Sequence, residues 1–89
     1  MATTSIIADG TAETASAEFS LAAGESTTLS IRGALTTNQL VRIQFKASDG
    51  TFTDFGIIES QNPVKVLSGI GTYRCIRRAN SVAFGVDRS

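Results

Sequence analysis

Few side chains in this sequence could act as a catalytic base or nucleophile, and they are scattered along the chain. The 89 residues include no His and a single cysteine, Cys75, which excludes a Cys/His zinc site and any mechanism with an imidazole base. A serine nucleophile would need Lys46 or Lys65 as its base, and neither lies in a known motif. Cys75 lies beside Ile76 in an apolar-rich segment, which indicates a buried, inert thiol.

Two other patterns could belong to a ligand site. Residues 69–71 read Gly-Ile-Gly and begin like a phosphate loop, but no third glycine follows and the surrounding pattern is that of a strand, which favours a structural turn. Asp49, Asp54 and Glu59 could form an acid pair or a calcium site, yet their spacing matches no loop motif, and solvated strand faces explain them better. We therefore predict no enzymatic activity, no cofactor and no metal.

The elements that would position any site are short β-strands. From residue 16 onward apolar residues recur at every second position, which is the period of a strand with one buried face. Residues 16–32 are predicted to form a hairpin around a turn at residues 22–25. A second hairpin is predicted around residues 48–50, followed by a strand over residues 52–59 whose alternation breaks at Gly56, which indicates a bulge or a bend.

The last third of the chain also reads as short β-strands separated by turns. Asn62 and Pro63 are expected to stop strand pairing, and Val64 and Val66 to open a short edge-like strand. A third hairpin is predicted from residues 72–78 and 81–88. Strands at this spacing without helical patterns predict an all-β fold: a single small antiparallel β-sandwich, Ig-like or jelly-roll-like, with six to eight strands.

The size of the chain predicts one domain with a thin core. Area scaling gives roughly 5,000 Å² of exposed surface for a folded chain of 9.3 kDa, with only about 63 % of the unfolded surface buried. Because disulfide and zinc reinforcement are excluded, assembly with other chains is the expected source of further stability. Residues 1–15 are mostly Ala, Thr, Ser and acidic residues, and we interpret them as a polar N-terminal arm, frayed or ordered by a neighbouring chain, before a sandwich over residues 16–89.

Charge is sorted along the chain although the net charge is zero. Residues 1–30 carry four acidic and no basic residues, whereas residues 60–89 carry five basic residues and one acidic residue. Either the two ends pair within one sandwich, or acidic and basic surfaces meet across a subunit boundary and set the register there. On the second hypothesis the interface residues are Asp9, Glu13, Arg74, Arg77 and Arg78.

The sequence also argues against nucleic acid and membranes as partners and against secretion. A chain without surplus positive charge is not expected to bind nucleic acid. The longest apolar stretches fall far short of the about 20 residues that cross a bilayer, so we expect no membrane partner. The N-terminus has neither a basic start nor an apolar core segment, and we expect no secretion signal.

Three segments resemble a known class of proteins. Residues 21–29, residues 71–74 with Arg77 and Arg78, and residues 82–87 are similar to small β-sandwich virion proteins of tailed bacteriophages, with capsid decoration or cement proteins as the nearest type. The resemblance implies a non-catalytic homo-oligomer, a trimer or a dimer, that is assembled in the bacterial cytoplasm and contacts the major capsid protein or other virion subunits. The alternative is a tail-fibre or surface-display module that binds a glycan or a receptor, although a chain with no Trp, one Tyr and mostly inward Phe residues is poorly suited to sugar stacking.

Overall fold

The computed structural model describes residues 3–33, 35 and 38–89. Within them the chain forms nine β-strands and no helix, and hence no apolar helix long enough to span a membrane. The strands are β1 (Thr4–Gly10), β2 (Thr14–Ala15), β3 (Phe19–Leu21), β4 (Ser26–Arg32), β5 (Leu40–Lys46), β6 (Phe52–Glu59), β7 (Val64–Ser68), β8 (Gly71–Arg77) and β9 (Phe84–Arg88).

The strands build two antiparallel sheets, which confirms the predicted β-sandwich. The first sheet has the order β1-β9-β4-β7. The second has the order β2-β8-β5-β6, and β3 also pairs with β8. Because β2 and β3 lie along the same strand, the nine strands occupy eight positions, four in each sheet.

The core lies between the two sheets and is built from alternate residues of the central strands. The first sheet contributes Leu29 and Val86, and the second contributes Val41 and Ile43, all fully buried. The exposed surface is 4959 Å², in agreement with the roughly 5,000 Å² expected from the chain's mass.

The β5–β6 hairpin is confirmed, together with an irregularity in β6. Asp49 accepts hydrogen bonds from the backbone nitrogen and hydroxyl of Thr51 at 3.0 and 2.7 Å, and Gly50 has a φ of 90°, so local chemistry closes this turn. Ile43 pairs with Gly56 and the next residue of β5 pairs with Asp54, which leaves the residue between them outside the register. The predicted break is therefore a bulge centred on Phe55.

The other two predicted hairpins are wrong. β3 and β4 are joined by a turn in which the nitrogen of Glu25 donates to the carbonyl of Ala22, but they belong to different sheets. β8 and β9 also lie in different sheets. The reason is that alternation indicates which face of a strand is buried and not which strand lies beside it. Two strands that follow one another can face the same core from opposite sides.

The N-terminal residues also differ from the interpretation as an arm. β1 pairs with β9 at the edge of the first sheet, and β2 pairs with β8 in the second sheet. Ile7 is 2 % exposed and belongs to the core. An edge strand with one solvated face can be mostly polar and still be held by a single inward apolar side chain. From Thr4 onward this segment is therefore part of the sandwich.

β7 is confirmed as an edge strand. It pairs only with β4 in the first sheet, and Pro63 just before it accepts a hydrogen bond from the nitrogen of Ile31 at 2.9 Å. Leu67 is buried, whereas Val64 and Val66 point away from the core and are 57 % and 64 % exposed. The strand thus presents apolar side chains at an open edge.

Candidate protein-interaction surface

The potentially reactive groups are engaged in the fold. Burial raises the pKa of the Cys75 thiol to about 12, and its side chain is fully enclosed. Hydrogen bonds from Thr51 lower the pKa of Asp49 from its usual value. Asp54 accepts a hydrogen bond from Gln44 at 2.9 Å. In the described part of the chain, no cluster of three or more His, Cys, Asp or Glu side chains could hold a metal ion.

Arg77 is a structural residue, and its assignment to an interface is wrong. Its guanidinium donates to the carbonyl oxygens of Ala8 at 2.6 Å, Phe84 at 2.8 Å and Ala12 at 2.7 Å, and to the hydroxyl of Thr14 at 2.8 Å. The residue is 3 % exposed. The alternation that places Tyr73 and Cys75 inward also places Arg77 inward, and that signal was available in the sequence.

Asp9 lies on the outer face of the first sheet and is paired within the chain. Arg32 contacts the carboxylate of Asp9 at 2.9 Å and that of Asp87. It also donates to the carbonyl oxygen of Ile7 at 2.9 Å. Asp9 therefore helps to hold β1 against β9 and β4, and it is 60 % exposed at its side chain. Such a pair contributes about 0 to 1 kcal/mol to stability.

The remaining predicted interface residues do not form one site. Arg74 lies on the outer face of the second sheet, where its guanidinium carbon is 3.7 Å from the ring centroid of Phe52. Its Nε donates a hydrogen bond to the side-chain oxygen of Gln44 at 2.8 Å. Arg78 is exposed at the far end of that sheet and donates to the carbonyl of Asn38 at 2.8 Å. Glu13 is exposed between β1 and β2.

The ion pairs within the chain do not join its two ends, contrary to the first hypothesis for the sorted charges. In the described residues the acidic N-terminal third pairs with the middle of the chain, through Asp9 with Arg32 and Glu18 with Lys46. No ion pair among these residues joins segments 1–30 and 60–89. Within this part of the protein, Arg74 and Arg78 have no carboxylate partner, so they stay candidates for contact with another molecule.

The structure reveals an aromatic cluster that sequence reasoning missed. Tyr73 lies at its centre, with ring centroids of Phe19, Phe45 and Phe55 at 6.1, 5.5 and 5.8 Å. Phe55 lies at the bulge in β6 and is 52 % exposed, although its ring contacts the buried Tyr73. The break in alternation at Gly56 was visible in the sequence, but not its consequence for the preceding ring.

A cleft opens beside this cluster. It encloses about 270 Å³ and is lined by Phe45, Thr53, Asp54, Phe55 and Tyr73.

The loop between β7 and β8 completes this end of the molecule. The hydroxyl of Tyr73 donates to the carbonyl of Gly69 at 3.0 Å, and Gly71 packs on the ring of Phe45. Ile70 lies between these two glycines and is 72 % exposed. We call the cleft and Ile70 together the aromatic end. The Gly-Ile-Gly segment is thus a structural turn, as predicted, and it displays an apolar side chain.

Comparisons with protein families, with curated proteins and with solved structures find no match to this chain. The features that distinguish its surface are the aromatic end and the apolar edge at β7, together with two arginines, Arg74 and Arg78, that lack carboxylate partners among the described residues.

Proposed function

We propose that this protein is a non-enzymatic structural protein that docks its aromatic end onto other protein subunits, in the manner of a capsid decoration protein of a tailed phage. The observation that carries the proposal is the exposure of Phe55 in an apolar cleft, with Ile70 exposed on the turn whose glycines contact the rings of Tyr73 and Phe45. Exposed apolar groups that lie together are typical of protein-binding surfaces. The resemblance to small virion proteins supplies the kind of partner: subunits of a capsid shell, with the protein placed in the virion.

The aromatic lining of the cleft suits an apolar side chain of a partner. The cleft encloses about 270 Å³, near the lower end of the about 300 to 1,000 Å³ usual for ligand sites. A single apolar side chain of a capsid subunit would fit in the cleft, against the exposed ring of Phe55. Truncating an aromatic or aliphatic anchor that fills such a pocket typically costs about 2 kcal/mol or more of binding free energy.

Charge would set orientation and contribute little affinity. Arg74 and Arg78 are available for carboxylates of a partner because they have none among the described residues. Exposed pairs of this kind contribute about 0 to 1 kcal/mol each. Contacts to several subunits of a shell would add through multivalency, which raises overall affinity without new chemistry.

The experiment is cosedimentation of the purified protein with phage heads stripped of their outer proteins. The native chain should pellet with the heads, and Phe55→Ser and Ile70→Ser should each weaken binding at least tenfold. Val82→Ser is the matched control, since Val82 is also exposed but lies just before β9, away from the cleft. Absence of binding by the native chain, or equal binding by all variants, would refute the proposal.

A second candidate function is supported by the same cleft. Phe55 presents a half-exposed ring next to Asp54, and an aromatic face beside a carboxylate is a common arrangement in sugar-binding sites. Phe19, Phe45 and Phe84 lie in or against the core, in line with the expectation that the Phe residues are mostly inward, and Phe52 and Phe55 lie outside it. A glycan array with one reproducible hit, competed by free sugar and lost in Phe55→Ser, would favour a glycan-binding or receptor-binding module over a capsid protein.

A further inference from the structure

We propose that β7 pairs with β7 of a second copy of this chain, antiparallel about a two-fold axis, so that two four-stranded sheets join into one of eight strands. The inference is independent of the proposed docking on a shell, which uses the aromatic end.

The backbone of β7 presents unused hydrogen-bonding groups at the edge of the sheet. Thr28 exchanges both backbone hydrogen bonds with Ser89, at 2.9 and 3.0 Å, on the side of β4 away from β7. Hydrogen-bonded and non-hydrogen-bonded pairs alternate in an antiparallel ladder. Because Thr28 directs its backbone groups toward Ser89, its pairing with Val66 is a non-hydrogen-bonded pair. It follows that the N–H and C=O groups of Val66, and likewise of Val64 and Ser68, point away from β4.

β7 has neither a bulge nor a break, unlike the other sheet edges, and its one charged residue is Lys65. β1 has two register shifts against β9, β6 has the bulge at Phe55, and β2 and β3 are separated by a break. Bulges, breaks and charged side chains are the usual protection of edge strands. β7 pairs with β4 over all five of its residues without a shift, and its outward side chains include the exposed Val64 and Val66.

The strand is self-complementary under a two-fold axis. If Val66 of one copy lies opposite Val66 of the other, Val64 lies opposite Ser68, and all three residues carry outward backbone groups. These rungs supply about six main-chain hydrogen bonds, because each hydrogen-bonded pair exchanges two. Lys65 of one copy lies opposite Leu67 of the other copy. The two Lys65 residues are therefore not directly opposite each other, and this register places no two like charges face to face.

The charge of the chain is compatible with a contact between two copies. The net charge of zero means that two copies do not repel each other at long range. Because both faces of the contact come from the same strand, the symmetry closes at two copies.

The test is sedimentation equilibrium of the full chain between 1 and 100 µM. The native protein should sediment with twice the 9.3 kDa mass of the chain. Val66→Pro removes an outward N–H that the fold does not use, and proline is tolerated at such an edge position. Val66→Lys keeps the backbone donor but places two ammonium groups opposite each other at the axis. Each variant should raise the dissociation constant at least tenfold, and Val82→Lys should leave it unchanged.

Several outcomes would overturn the inference. A native chain that is monomeric at 100 µM, including one whose β7 instead accepts a strand of another protein, would contradict it. A trimer, or a dimer that both Val66 variants preserve, would contradict it as well. If Val66→Pro does not fold, as judged by its circular dichroism spectrum, Val66→Lys alone decides. Failure of the shell-docking proposal is detected separately, because Phe55→Ser and Ile70→Ser change residues outside β7.

Discussion

The guanidinium of Arg77 donates a 2.6 Å hydrogen bond to the carbonyl oxygen of Ala8, joining two residues that lie 69 positions apart in the sequence. The same nitrogen also donates to the carbonyl of Phe84 at 2.8 Å. One buried cation of the second sheet thus binds β1 of the first sheet and the start of β9. The basic residue meets the N-terminal segment through backbone oxygens and not through carboxylates.

Replacing Arg77 by Met should destabilise the fold by about 2 to 4 kcal/mol, because the carbonyl oxygen of Phe84 would be left buried without this donor and that of Ala8 would lose its hydrogen bond. Arg77→Lys should cost less, since an ammonium group can still reach one of them. Urea unfolding measures the change. Arg78→Met is the control and should stay within about 0.5 kcal/mol of the native chain, since Arg78 is exposed. Equal effects at both positions would contradict the structural role of Arg77.

Ile7→Ala should destabilise the protein by about 2 to 4 kcal/mol because the side chain is 2 % exposed and packs in the core. The same substitution at Ile70, which is 72 % exposed, should be nearly neutral. Thermal or urea unfolding of the two variants compares them directly. If Ile7→Ala were as neutral as Ile70→Ala, residues 4–10 would be an arm outside the sandwich after all.

Gly71→Ala should destabilise the aromatic end. A Cβ atom there would lie 2.5 Å from a ring carbon of Phe45, and the backbone φ of 153° disfavours other residues. We expect a loss of about 2 to 3 kcal/mol. Gly24→Ala is the control, since Gly24 has a φ of 82° but no atom within 4 Å of the added carbon, and should lose only about 1 kcal/mol from backbone strain. Equal losses would show that residue 71 does not pack on Phe45.

The stability of the native chain should fall at alkaline pH through Cys75. Its pKa is raised from 9.0 to about 12 by burial, so between these values the unfolded thiol loses its proton while the folded thiol keeps it. The unfolded state then binds fewer protons, and stability falls by about 1.4 kcal/mol per pH unit. Cys75→Ala lacks this contribution, so the difference in unfolding free energy between native chain and variant should be constant below pH 8 and shrink from pH 9 to 10.5. Parallel curves over the whole range would contradict the burial of the thiol.

Local chemistry made part of the fold predictable from the sequence. The β5–β6 hairpin depends on Asp49 and Gly50, which act within the turn itself, and the edge position of β7 follows from Pro63. The partners of β3 and β9 were not predictable in this way, because they are set by the packing of two sheets. Alternation could indicate that Leu21 and Leu29 are buried, but not that they come from opposite sheets.

The candidate site was less predictable for a related reason. Asp9, Arg74 and Arg77 were chosen by charge, and the structure uses two of them to hold strands together. Phe55 and Ile70 belong to residue types that usually lie inside, yet both are exposed, one at a bulge and the other in a glycine-flanked turn. Such displacements depend on register, which a single sequence specifies only weakly.

Amide hydrogen exchange of the protein bound to phage heads tests most directly whether the aromatic end is the docking surface. We expect binding to slow exchange in peptides that cover the Phe55 bulge and the loop around Ile70. Peptides that cover β1 and the segment around Glu13 should exchange at the rate of the free protein. Slower exchange confined to the N-terminal segment, with the Phe55 and Ile70 peptides unchanged, would contradict docking through the aromatic end.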